Sequence, residues 1–246
     1  MSYKLKIDLH IHSREDVAEQ IYGHGDLLPA IKIIDLAIQK GFDAIALTHH
    51  GLLFKDQRVW DYARERGLLL IPGLEAVIEK KHVLLINFTL RKHILSFAEL
   101  SRNLNDDMLV IAPHPYYLSG SSLGDKLEDN IDLFDAIEYC HYYYRCINPN
   151  SKALKIAEKY NLPLVGNSDM HHPMQFGTTY SYVHSEERSI AGIVDAIKSG
   201  RVQYISHNLS LVQFYRETSW IFGRISSEIK LKANWHLKRM REKVLG

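Results

Sequence analysis

The sequence predicts an α/β fold, a barrel of about seven or eight strand–helix units, on three observations. Short apolar, β-branched runs alternate with longer amphipathic ones along most of the chain. Gly41, Gly67 and Gly200 each close a helical run, where the residue after a helix must reach positive φ cheaply. Repeated units of this kind imply a mainly parallel sheet, and in this number they close into a barrel more readily than they stay open.

In chain order, an apolar run predicts a first strand at Lys4–His10, and the helical pattern Asp26–Lys40 follows it up to Gly41. The next strand is expected at Ala44–Thr48, with the helix Gln57–Arg66 ending at Gly67. Strands at Leu68–Pro72 and Val83–Asn87 precede a helix at Leu95–Asn105. Met108–Ala112 and Ala136–Tyr139 read as strands, Ser151–Tyr160 as a helix, Leu162–Gly166 and Tyr180–Val183 as strands, and Ser189–Ser199 as a helix closed by Gly200. No G-x-G-x-x-G follows the first strand, so dinucleotide binding has no support.

The pattern changes from Arg216 onward to one long helix, with Ile225, Ile229, Ala233, Leu237, Met240 and Val244 at helical spacing. Its polar face is basic, carrying Arg224, Lys230, Lys232, Lys238, Arg239, Arg241 and Lys243 against Glu228 and Glu242. Residues 1–215 are therefore expected to form the barrel, and 216–246 a helical extension of the same domain. The apolar stripe suits packing on the barrel or on a second copy of the chain. The basic face offers a docking surface for nucleic acid.

Composition narrows the function. A net charge of +1 with 24% charged residues gives no overall field for polyanions. Cys140 and Cys146 lack C-x-x-C spacing, which argues against a disulfide framework, a zinc ribbon or a redox pair and fits a reducing cytoplasm. The sequence shows neither a long apolar span nor a cleavable leader, so the expectation is a soluble cytoplasmic protein without membrane contact. The outlier is histidine, 14 residues, the commonest metal ligand and the usual proton carrier near neutral pH.

These histidines recur at strand ends. His10 and His12 end the first strand, two residues apart and hence projecting to one side. His49 and His50 follow the second, Glu75 the third, His114 the run to Pro113, and Asp169 and His171 the run to Ser168. In a βα barrel the C-terminal strand ends share one mouth, where such barrels perform chemistry. Singly, each residue reads as an ordinary loop residue or helix cap. Together, imidazoles and carboxylates without thiolates suit zinc, manganese or iron, and a carboxylate such as Glu75 can bridge two cations.

The motifs DLHIHS, ALTHHG, IPGLEA followed by HVLLIN, APHP and GNSDMH occur in this order from Asp8 to His171, about two thirds of the chain. In that order and approximate spacing the chain resembles the PHP (polymerase and histidinol phosphatase) metallophosphoesterases. The resemblance implies a distorted (β/α)7 TIM-like barrel holding two to three divalent ions at its mouth. Carried over by motif, His10, His12, Glu75 and Asp169 would hold one ion, and Glu75 would bridge to a second completed by His82 and His114. His24, His50 and His171 would hold a third, with Asp16 as the rival for His24's place. The sequence departs from the family at His49, where an acid is usual, and at Ile137–His141, where many members read I-E-V-x-N. His82 also begins an apolar run, whereas in some branches the corresponding ligand ends one.

Such a centre implies a phosphoesterase acting through a cation-activated water. His171 or His172 is the candidate proton donor to the leaving group, and Arg14 the candidate phosphate clamp. The first expectation is a phosphomonoesterase for a small metabolite or nucleotide. The second is a nuclease or phosphodiesterase that uses the basic C-terminal helix, and the third a non-catalytic metal-binding module.

Overall fold

The computed structural model describes residues 2–22, 27–89, 93–144, 147–219, 222, 223 and 226. The chain begins with β1 (Tyr3–Ile11), α1 (Val17–Tyr22) and α2 (Ala30–Gln39). Then come β2 (Ala44–Leu47), α3 (Gln57–Glu65), β3 (Leu69–Ile78) and β4 (Lys81–Ile86). They are followed by α4 (Phe97–Asn103), β5 (Leu109–Ala112), α5 (Lys126–Asp129) and β6 (Ala136–Cys140). The last elements are α6 (Asn150–Tyr160), β7 (Leu164–Asn167), β8 (Thr179–Ser185), α7 (Ile190–Lys198), β9 (Val202–Ser206) and a helix over 211–219, α8.

The strands form one sheet in the order β7-β6-β5-β4-β3-β2-β1-β8-β9. It curls into a nearly closed TIM-like barrel. At its lower seam the Gly166 N–H of β7 donates to Ser181 Oγ of β8 at 2.8 Å, and that hydroxyl donates back to Gly166 O at 3.1 Å. Only glycine permits the approach, because a Cβ there would lie 2.8 Å from Tyr180 O and 2.9 Å from Tyr204 Cβ. Toward the mouth the chain after β7 reaches β1 itself. Leu9 N–H donates to Asn167 Oδ1 at 2.9 Å, and His12 N–H to Met170 O at 3.0 Å.

Local chemistry accounts for the helix ends. Asp56, Ser96 and Ser189 accept a backbone N–H at the starts of α3, α4 and α7, the usual role of a short polar N-cap. Gly41, Gly67 and Gly200 take φ of 69°, 75° and 73° as expected. The helices bury apolar stripes on the barrel: Ile33, Ile34 and Ala37 of α2 pack with Ile45 and Leu47. Phe97 and Leu100 of α4 pack with Ile78, Val83 and Leu85. Each fully buried aliphatic side chain contributes roughly 1.5–3 kcal/mol.

The structure corrects the expected sheet in two respects and moves the start of one helix. β4 and β8 run antiparallel to both neighbours, so the barrel is less parallel than the alternation implied. A ninth strand, β9, pairs with β8 beyond the expected set. Its residues are half-exposed, with Gln203 exposed, and so it lacks the apolar run that marks an inner strand. The C-terminal helix begins at 211, ahead of Arg216. Most of the basic stretch after it lies outside the described residues. Among the described residues no helix is long and apolar enough to cross a membrane.

One irregularity positions the site. The β1–β2 ladder pairs Asp8 with Ile45 but Ile11 with Leu47, a register shift within β1. Strand side chains alternate faces, so a one-residue shift reverses those that follow. Leu5, Ile7 and Leu9 accordingly pack in one apolar cluster, whereas Ile11 joins another under α2. His10 and His12, which simple alternation would place on the face of Lys4 and Lys6, are both wholly buried at the mouth.

Candidate metal centre

Glu75 is the hub of the site. It comes from β3, and the Glu75 N–H donates to His49 O at 3.1 Å, which ties it to the end of β2. Its Oε1 lies 2.6 Å from His82 Nδ1, 3.1 Å from His114 Nε2 and 3.6 Å from His10 Nε2. Its Oε2 lies 3.0 Å from His50 Nε2 and 3.5 Å from His12 Nε2. Asp169, at φ 47° after β7, brings Oδ1 within 3.2 Å of His10 Nε2 and 3.5 Å of both His12 Nε2 and His171 Nδ1.

Four overlapping groups result, each with its potential ligand atoms within 4.8 Å of one another: His10, His12 and Asp169; His10, Glu75 and His114; His50, Glu75 and His82; and His12, His50 and His171. Of the expected metal ligands, His10, His12, His50, Glu75, His82, His114, Asp169 and His171 are thus brought together. His24 lies outside the described residues. His82 begins an apolar run yet reaches the mouth because β4 descends from a hairpin whose turn rises above Glu75. Val77 pairs with His82 and Glu75 with Leu84, so Glu75 and His82 share a face.

A second layer of acids fixes the rings. His10 Nδ1 donates to Glu138 Oε1 at 2.9 Å. Asp16 Oδ2 accepts from His12 Nδ1 and His50 Nδ1, both at 2.9 Å. With Nδ1 protonated, each ring turns an Nε2 lone pair to the centre, the arrangement typical of metal-bound histidine. His10 Nε2 and His12 Nε2 then face each other at 3.2 Å. His82 Nδ1 and Asp169 Oδ1 are buried and face other potential ligand atoms, Glu75 Oε1 at 2.6 Å and His10 Nε2 at 3.2 Å. Opposed lone pairs repel unless a cation lies among them, so this donor set fits divalent metal ions.

The electrostatics agree. Burial opposes charge on Asp16, but the hydrogen bonds from His12 and His50 prevail and hold its carboxyl far below the usual range. Burial likewise opposes ionised Glu75, yet the surrounding histidines keep it well below its ordinary value. On His12 burial is outweighed by the bonds to Asp16 and Asp169, which lift it to about 9. The cluster attracts positive charge, which protons or metal ions can supply.

Beside the ligands lie Asp16, the rival to His24 in the sequence reading, and two acids to which the motifs assigned no role, Glu19 and Glu138. Asp16 stands behind His12 and His50 and accepts the Ala18 N–H at 3.0 Å, as an N-cap of α1 would. Glu19, buried in α1, brings Oε1 to 3.5 Å from His171 Nε2 and 3.7 Å from His50 Nδ1. In the sequence Glu19 stands three residues after a helix-capping Asp16, as in a capping box, so Glu19 itself gives no sign of a metal-facing acid. Glu138 is found only through its contacts: besides His10 it accepts the His114 N–H at 2.8 Å and Asn167 Nδ2 at 2.9 Å. His49, pulled down to about 4 by burial, donates to Ser13 Oγ at 2.7 Å, and Ser13 donates to Glu15. It braces the turn after His12.

The two remaining candidates lie apart from these groups. His172 Nε2 bonds Glu217 Oε1 of α8 at 2.9 Å, and its Nδ1 accepts the Met174 N–H. Arg14 is exposed, with Nε donating to Leu27 O at 3.2 Å.

Barrel and site together define a protein whose strand ends gather histidines and carboxylates into clusters that could hold metal ions. Residues 148–202 match the PHP-associated family model, PHP_C. Over that segment the chain is similar to PHP-associated proteins. Two uncharacterized proteins of Methanocaldococcus jannaschii are similar: one is 25% identical over 57% of this chain and 84% of its own length, the other 23% over 92% and 93%.

Three solved structures share the fold. A two-domain Bacteroides vulgatus protein containing a predicted PHP-like metal-dependent phosphoesterase is 22% identical at a TM-score of 0.62, over 84% of this chain and 66% of that one. PsfC from Pseudomonas syringae is 16% identical at 0.60, over 91% and 98%. The lesion-specific endonuclease PfuEndoQ from Pyrococcus furiosus is 19% identical at 0.55, over 80% and 56%.

Proposed function

We propose that the chain is a metal-dependent phosphoesterase hydrolysing a phosphomonoester of a small metabolite or nucleotide. The observation that carries this reading is the facing of His10, His12, His50, His82 and His114 around the two oxygens of Glu75. His10, His12, Glu75 and Asp169 would hold one ion, Glu75 with His82 and His114 a second, and His12, His50 and His171, with Glu19 beside them, a third. Bound manganese, zinc or iron would polarise a phosphoryl oxygen and lower the pKa of water.

The chain's own residues do the rest. Asp16 and Glu138 hold the rings of His12, His50 and His10 in the orientation that presents Nε2. Arg14, exposed and held through Nε by Leu27 O, would clamp phosphate through its terminal nitrogens in a forked pair. Of the two candidate acids, His171 is taken up as a ligand of the third ion in this assignment, and His172 is held by Glu217.

Hydrolysis of p-nitrophenyl phosphate by the manganese-loaded protein is the test, with a panel of phosphorylated metabolites and oligonucleotides beside it. His12→Ala and Asp169→Asn are each expected to abolish turnover with the circular dichroism spectrum unchanged; activity retained in both refutes the assignment. A second reading, cleavage of nucleic-acid diesters, is favoured by the docking of α8 at the mouth just before the basic stretch. Oligonucleotide cleavage that weakens with salt and is lost on truncation at Arg216 would select it.

A further inference from the structure

α8 leaves the barrel but returns a carboxylate to its mouth. Glu217 is almost fully buried, which an ionised group tolerates only with partners, and its partners come from two loops at the strand ends. Oε1 accepts from His172 Nε2 at 2.9 Å, and Oε2 accepts from Gln175 Nε2 at 2.7 Å with His141 Nε2 3.7 Å away. Gln175, itself buried, turns its carbonyl Oε1 to the backbone N–H groups of His171 and His172. Its two ends are thereby assigned: the carbonyl takes two donors, and the amide donates to Glu217.

The seat of the helix is independent of this bond. Phe214 stacks on Tyr142 and Tyr144 at centroid distances of 5.3 and 5.2 Å. Thr218 Oγ1 pairs with Tyr142 OH at 2.8 Å. Glu217 alone among these contacts reaches the loop between β7 and β8 that carries Asp169 and His171.

We infer that Glu217 is a positioning residue: through Gln175 and His172 it locks the backbone that presents His171 to His12 and His50, so that α8 completes one cation position of the centre. The inference rests on the metal-centre reading above and adds to it a dependence on a residue outside the strand ends. Backbone anchored in this way cannot drift, and ligand geometry within a fraction of an ångström governs metal affinity.

The test is titration of the full chain with Mn²⁺ alone by isothermal calorimetry, which reads binding without turnover. Glu217→Ala is expected to lose one equivalent or to weaken the weakest by about ten- to a hundredfold. Glu217→Gln, which keeps an acceptor for Gln175, is expected to stay close to the parent. Thr218→Ala, which loosens only the helix seat, is expected to match the parent. Gln175→Ala should reproduce the Glu217→Ala defect, and the double variant should add nothing. Parent-like binding in Glu217→Ala, or an equal loss in Thr218→Ala, overturns the inference. If Glu217→Ala does not fold, the Gln175→Ala and Thr218→Ala pair decides by the same comparison. A parent chain that binds no Mn²⁺ overturns the metal-centre reading instead.

Discussion

His10 and Glu138, both wholly buried and 128 residues apart, meet through a 2.9 Å bond between Nδ1 and Oε1. That bond sets the His10 tautomer and so aims its Nε2 at Glu75 and Asp169. Glu138→Gln keeps the size but removes the charge that draws the Nδ1 proton. It is expected to lower metal affinity by about 10- to 100-fold, read by calorimetric titration, with the far-ultraviolet spectrum unchanged.

Metal and stability are linked, since ions bound only by the folded chain add to its unfolding free energy. Saturation at about 100 times the dissociation constant contributes roughly 2.7 kcal/mol per site, and so raises the melting temperature by about 5 °C or more in a chain of this size. Scanning fluorimetry with manganese, zinc or iron against a chelator should show that rise, and His12→Ala should lose most of it. A melting temperature indifferent to all three metals would contradict the ligand set.

Glu75 and His82 should differ in degree. Glu75 faces five imidazoles and is shared by the first two proposed ions, whereas His82 serves the second alone. Glu75→Ala is therefore expected to abolish high-affinity binding, and His82→Ala to weaken one equivalent while sparing the others. Metal stoichiometry by atomic emission after dialysis orders the two; the reverse order would remove Glu75 as the shared ligand.

Barrel closure can be tested away from the site. Gly166→Ala would drive a Cβ into Tyr180 O and Tyr204 Cβ, and neither the carbonyl nor a Cβ can swing aside as a side-chain tip would. A loss of about 1–3 kcal/mol is expected, measured by urea unfolding. Gly41→Ala meets no atom within 4 Å but has φ 69°. Its loss of roughly 1–2 kcal/mol would come from the backbone alone.

The strand–helix alternation, the helix ends and the ligand motifs were legible because each is written within a few residues: an apolar run, Gly67 after α3, His10 next to Ile11 and His12. The reversal of β4 was not, since direction in a sheet depends on the partner strand, and an apolar run reads alike both ways. That reversal puts His82 at the mouth although it begins its strand. β9 was missed because its half-exposed residues carry no strong period. Asp16 was legible only as the rival to His24, Glu19 was hidden by its resemblance to part of an ordinary helix cap, and Glu138 and Glu217 were hidden by distances of 128 and 45 residues from the histidines they hold.

By itself the sequence determined a chain that alternates strand and helix and places histidines and acids where strands end, because local propensity and side-chain period are properties of short segments. Tertiary structure alone decided how those residues meet. The register shift in β1 turned His10 and His12 inward, the return of the chain after β7 brought Asp169 beside them, and buried acids from distant segments chose which nitrogen each ring presents. These outcomes depend on packing and on hydrogen bonds between residues far apart in the chain, and such contacts exist only once the barrel has closed.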